Sequence, residues 1–69
     1  MKKWYSVEMD TKADASVIRY FREYLKMKKY RHDSGACYNN TIIRVETDEE
    51  GLCELNNVLD DFFAAQGAY

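Results

Sequence analysis

Sixty-nine residues with a net charge of -2 allow one domain and a small core, and they supply no broad basic field for a nucleic-acid duplex. Hydrophobic residues make up 46% and aromatics 14%, which excludes a disordered chain, while a mean hydropathy of -0.62 suits a protein that works in water. Two cysteines, Cys37 and Cys53, are too few for a disulfide scaffold and read as reduced thiols of a cytoplasmic protein.

The opening Met1-Lys2-Lys3 leads to Ser6 and Glu8 without an apolar run, so no signal peptide is expected, and no stretch approaches the ~20 apolar residues of a membrane span. Lys3 to Met9 alternates, with Tyr5, Val7 and Met9 on one face and Trp4, Ser6 and Glu8 on the other. This predicts a first strand with the first set inward. Asp10 to Asp14 is a polar connection in which Thr11 or Asp14 is expected to cap a helix, Thr11 and Asp14 together forming a capping box. The helix is predicted over about Ala13 to Lys28, with Val17, Ile18, Phe21 and Leu25 as its buried stripe. Tyr20, Tyr24 and Met27 form a second apolar stripe, part of which is left for solvent or a partner. Lys26, Lys28 and Lys29 complement the dipole at the helix end.

Tyr30 to Ser34 reads as a short second strand, and Gly35 and Asn39-Asn40 as turn signals. Thr41 to Thr47 is the clearest strand, with five β-branched residues among its seven; Ile43 and Val45 share one face, and Ile42, Arg44 and Glu46 the other. Thr47-Asp48-Glu49-Glu50 is a second capping box. The helix behind it carries Leu52, Leu55, Leu59 and Phe62 on one stripe, flanked by Val58 and Phe63, and is expected to end near Gly67.

These elements predict an α+β fold, βαββα. A right-handed crossover makes the first two strands parallel, and a short connection makes the last two a hairpin. Both hold if the strand order is 1-3-2, with two helices on one face: a ferredoxin-like unit lacking its fourth strand. The other sheet face, with Trp4, Ile42 and Arg44, is then left bare.

No residue pattern calls for catalysis. His32, Asp33, Cys37 and Cys53 lack the tight ligand pairs of a zinc site, and a His32–Cys37 nucleophile would need a pocket that so small a domain hardly encloses. The plainer reading is a histidine exposed in a turn and two buried or half-buried thiols. Gly35, Gly51 and Gly67 are too scattered for a phosphate loop, so no cofactor is expected. Asp48-Glu49-Glu50 and Asp60-Asp61 are explained by solvation and helix-dipole complementarity. The central strand offers no aromatic for stacking bases, and Lys26, Lys28, Lys29 and Arg31 form the only basic cluster; both argue against nucleic acid as a partner.

What remains is a non-catalytic module that binds a protein partner or a second copy of itself. Trp4, Ile42 and Arg44 on the bare face, or Tyr20, Tyr24 and Met27 on the helix stripe, would make the contact. Pairing of first strands across a homodimer is a further route, opposed by Lys2 and Lys3. Two other readings stay open: inhibition of a nucleic-acid-processing or defence enzyme through the acidic residues, and binding of a nucleic-acid single strand through Trp4.

The opening Lys3-Trp4-Tyr5-Ser6-Val7-Glu8, the Gly35-Ala36-Cys37 turn and the run Asn56-Asn57-Val58-Leu59-Asp60 resemble a group of short proteins of gut Firmicutes, often found on phages and conjugative elements. The resemblance implies an accessory protein of a mobile element that acts by binding, and carries over no functional residues.

Overall fold

β1 (Lys3–Asp10), α1 (Ala15–Met27), β2 (His32–Cys37), β3 (Asn40–Thr47) and α2 (Glu49–Gln66) follow one another in a computed structural model that describes residues 1–66. The sheet is antiparallel in the order β1-β3-β2. β1 pairs with β3 from Lys3↔Thr47 to Asp10↔Asn40, and β2 pairs with it from His32↔Val45 to Cys37↔Asn40. This register puts Tyr5, Val7, Met9, Ile43 and Val45 on the side of both helices. Val17, Ile18, Phe21 and Leu25 of α1 and Leu55 and Leu59 of α2 close over them in one core. The split-βαβ order and the one-sided helix layer are those expected from the alternation of β1 and β3 and from the helical spacing of the apolar stripes.

The ends of the elements depart from expectation, and the reasons are local. α1 starts two residues late. Asp14 is its N-cap residue but makes no side-chain bond into the helix. Its carboxylate instead accepts from the Asp10 amide at 3.1 Å. The Asp10 carboxylate accepts from the amides of Lys12 (2.9 Å) and Ala13 (2.7 Å), so an Asx turn organises the entry. Thr11 is not a cap at all, because its hydroxyl bonds that of Thr41 at 2.8 Å.

α2 is capped one residue later than its sequence suggested. Asp48 accepts from the Gly51 amide at 2.8 Å, while Thr47 is buried beneath the first turn. A carboxylate at the N-cap serves as well as the hydroxyl and adds dipole complementarity. Gly51 permits this packing: a Cβ there would collide with Thr47 Oγ1 and lie 3.2 Å from Thr47 Cβ.

α1 ends in a Schellman motif. The Lys29 amide donates to the Lys26 carbonyl (3.1 Å) and the Tyr30 amide to the Leu25 carbonyl (3.0 Å). Lys29 takes the left-handed position, φ 61°, that glycine usually fills. Tyr30 then packs against the core and is not part of a strand.

β2 lies two to three residues further along than Tyr30–Ser34. Gly35, Ala36 and Cys37 are strand residues, and the turn is the tight pair Tyr38-Asn39, with Tyr38 at φ 55°. Asn40 belongs to β3. The cause is the weakness of the segment as a pattern: apart from His32, every residue of β2 is exposed, so neither face had to be apolar. The end of α2 expected at Gly67 lies outside the described residues.

Candidate interaction face of the sheet

Alternation carries Trp4, Ile42 and Arg44 to the side of the sheet opposite the helices. Trp4 is 45% exposed, Arg44 is exposed and Ile42 is half-buried. The register brings these side chains together. Ser6 stands across from Arg44, and Trp4 across from Glu46, on adjacent strands. The Arg44 guanidinium carbon lies 5.5 Å from the Trp4 ring centre. That of Arg31, from the loop before β2, lies 6.0 Å away. Both are within reach of the attraction between a cation and an aromatic face.

The cations are themselves held. Arg44 Nε donates to Asp33 Oδ1 at 2.8 Å and its terminal nitrogen donates to Asp33 Oδ2, a bidentate pair across β2 and β3. The Arg44 hydrogen bonds hold the Asp33 carboxyl below the usual aspartate range, and Asp33 in turn raises Arg44. Arg31 approaches Glu46 at 3.8 Å. At the far end of the face, the Asn40 amide donates to Glu8. The result is a tryptophan edged by fixed, mixed charges, with Ile42 on the central strand and Gly35 of β2 directly across from it.

The helix stripe is a separate surface. Tyr20 packs its ring 6.0 Å from that of Phe62 at 46°, and the Tyr24 hydroxyl donates to Glu54 Oε1 at 2.9 Å. Burial first, and then Glu54, raises Tyr24 above the ordinary tyrosine value. Two of the three stripe residues therefore join α1 to α2. Tyr20 remains 48% exposed and Met27 70%. The six residues singled out from the sequence fall on two opposite sides of the molecule.

Sequence reasoning missed Arg31 and Asp33 as parts of the sheet face. Asp33 was placed among possible metal ligands, and Arg31 in a solvated basic cluster. The usable signal was parity: once β2 pairs with β3 as it does, Asp33 faces Arg44. Two further expectations are corrected. His32 is half-buried at the start of β2, and Cys37 and Cys53 are both free and exposed. His32 and Cys37 stand five residues apart on one strand, hence on opposite faces, and do not form a nucleophile–base pair. The acidic groups do not converge either: Asp48 to Glu50 open α2, and Asp60 and Asp61 lie about three turns further along it. None of the described helices is long and apolar enough to cross a membrane.

Comparison with protein-family models, with curated proteins and with solved structures found no match.

Proposed function

We propose that this chain is a cytosolic, non-catalytic interaction module that associates with a second copy of itself through the open face of its sheet. The observation that supports this is the clustering of Trp4, Ile42, Arg44, Arg31 and Asp33 on a face that neither helix covers. Tryptophan and arginine are the side chains that most often anchor protein contacts. The face also carries both signs of charge, Arg31 and Arg44 beside Asp33, Glu8 and Glu46. A two-fold axis through it sets the cations of one copy against the anions of the other. Among the described residues nine apolar side chains are buried, a core that gives a domain of this size a narrow margin of stability, which association widens. The helix stripe supports the role less well, because Tyr20 and Tyr24 already serve the α1–α2 contact. Action as an accessory protein of a mobile element is supported by the sequence resemblance.

Sedimentation equilibrium over micromolar concentrations tests the reading. The expected mass is twice the 8.2 kDa of the chain, falling to one chain in Trp4→Ala and staying at two in Met27→Ala. Trp4 is the only tryptophan, so its emission reports the same event and blue-shifts on association. A wild-type protein of 8.2 kDa at every concentration sinks the proposal.

A further inference from the structure

Every residue of β2 after His32 is exposed, and a groove of about 580 Å³ lies between α1 and His32. One wall is the outer side of α1. Arg19, Arg22 and Lys26 point along it at spacings of three and four residues, the spacing that keeps side chains on one helical face. The other wall holds His32 of β2, with Thr11 and Thr41 also in the lining, Thr41 four residues along β3 from the position across from His32.

Among the described residues, the three cations of this groove lack carboxylate partners within ion-pair distance, although the Arg19 guanidinium lies 5.5 Å from the Tyr20 ring centre; the ion pairs formed are those of Arg31 and Arg44 on the other side of the sheet. Glu23 is the one acid in the lining, which leaves a local excess of two positive charges on a chain whose net charge is -2. The Thr11 and Thr41 hydroxyls bond each other, and that bond uses one of their two hydrogens, so the other is free to donate outward. His32 Nδ1 donates to the Tyr30 carbonyl at 2.8 Å, which fixes the ring and makes Nε2 an acceptor in the neutral imidazole and a donor to an anion only in the imidazolium. Ile18 and Ala15 supply an apolar floor.

We propose that this groove binds a small molecule bearing two or more linked phosphoryl groups, with Arg19, Arg22 and Lys26 as its cationic wall and the threonine pair and His32 opposite. A set of cations that outnumbers the one acid among them, Glu23, by two calls for an anion. The spacing selects its length. From Arg19 to Lys26 is seven residues, about 10 Å of helix, a span along which the three cations can meet a ligand that carries negative charge at more than one point, as linked phosphoryl groups do. A groove of this size accepts an organic body as well, and Ile18 and Ala15 offer it a surface. The site lies on the helix side of the sheet and is independent of association through the open face.

The test uses the full chain and the single histidine, whose ring gives one set of NMR signals. Pyrophosphate, adenosine diphosphate, inorganic phosphate and adenosine are titrated in turn at physiological salt. Pyrophosphate and adenosine diphosphate are expected to shift the His32 ring signals and the amides of Arg19, Arg22 and Lys26 saturably. Inorganic phosphate is expected to bind at least about tenfold more weakly, and adenosine not to bind. Arg22→Gln should weaken pyrophosphate about tenfold with an unchanged circular-dichroism spectrum, and Lys26→Gln should act alike. Lys28→Gln, a charge removed outside the groove, should change affinity less than about twofold. The proposal is overturned if pyrophosphate produces no saturable shift up to about 10 mM, if adenosine binds as well as its diphosphate, or if Lys28→Gln weakens binding as much as Arg22→Gln.

Discussion

β1 and β2 flank the same central strand in the same antiparallel sense, yet they live in different surroundings. The inner side of β1 carries Met9 and Val7 against the core that residues of both helices close. β2 has no such cover beyond its first residue, His32, which borders the groove along α1. The sheet is therefore a packed half joined to an exposed half through β3. The two halves are held by different physics, burial in one and backbone pairing in the other.

Neighbouring isoleucines on β3 offer the sharpest way to break this comparison. Ile43 is fully buried under the helices, and Ile42 is half-buried on the open face. Ile43→Ala should cost about 3–5 kcal/mol, enough to unfold a domain of this size, whereas Ile42→Ala should cost less than about 1.5 kcal/mol. Urea unfolding at low protein concentration measures both. Equal losses at concentrations where the chain is monomeric would mean that the two faces are not distinct.

The same contrast explains what the sequence made legible. β1 and β3 were readable because burial on one side writes a period of two, and all four buried residues of α1 were readable because burial writes a period near four. Nothing writes a period into Asp33-Ser34-Gly35-Ala36, where both faces meet solvent, so the pattern points to a strand two to three residues early and its glycine reads as a turn. The caps were misread for another reason. Thr11, Asp14 and Thr47 each have the right side chain at the right spacing, but the Asp14 carboxylate is taken locally by the Asp10 amide, and Thr11 and Thr47 are taken by Thr41 and by packing under α2. On the open face, Trp4, Ile42 and Arg44 followed from parity alone. Asp33 could not be placed opposite Arg44 without the hairpin register, which is set by the two-residue turn at Tyr38-Asn39.

Two glycines carry the comparison to a smaller scale. Gly51 sits in the first turn of α2, where helix propensity favours alanine by about 1 kcal/mol. A Cβ there meets the buried Thr47 side chain, so Gly51→Ala should destabilise by about 2 kcal/mol or more despite its better propensity. Adding Thr47→Ala to that variant should restore part of the loss, a coupling that a double-mutant cycle reads directly. Gly35 lies across from Ile42 in β2, and a Cβ there meets nothing within 4 Å. Gly35→Thr should stabilise by up to about 1 kcal/mol, because a β-branched residue suits the strand and covers Ile42. A loss of stability at position 35 would show that the open half is already covered by something in solution.

The exposed half also holds the two non-glycine residues that have positive φ among the described residues. Lys29 and Tyr38 bracket β2 on either side, at φ 61° and 55°. The Tyr38 side chain is wholly exposed, so it brings strain without packing in return. Tyr38→Gly should raise stability by about 0.5–1 kcal/mol, read as a higher urea midpoint at unchanged slope. A glycine that lowered the midpoint would mean that the turn is held by the tyrosine ring, not tolerated in spite of it.

The smallest effect belongs to Asp33 and Arg44, the pair that ties β2 to β3 on the open face. Both are exposed, so solvent screens the pair, and Asp33→Asn should leave the melting temperature nearly where it was. Their signature is in the titration. Arg44 hydrogen bonds lower the folded-state pKa of Asp33 below its unfolded value, so whatever the pair contributes is present above the ordinary aspartate pKa and fades as pH falls through the lowered one. In Arg44→Gln the Asp33 carboxyl should return upward to the ordinary range, followed by its side-chain carbon chemical shift. If Asp33 titrates identically with and without Arg44, the bidentate pair does not persist in solution. Trp4 would then have lost the strut that holds a guanidinium against its ring, and the open face would be less preorganised for a partner than its geometry implies.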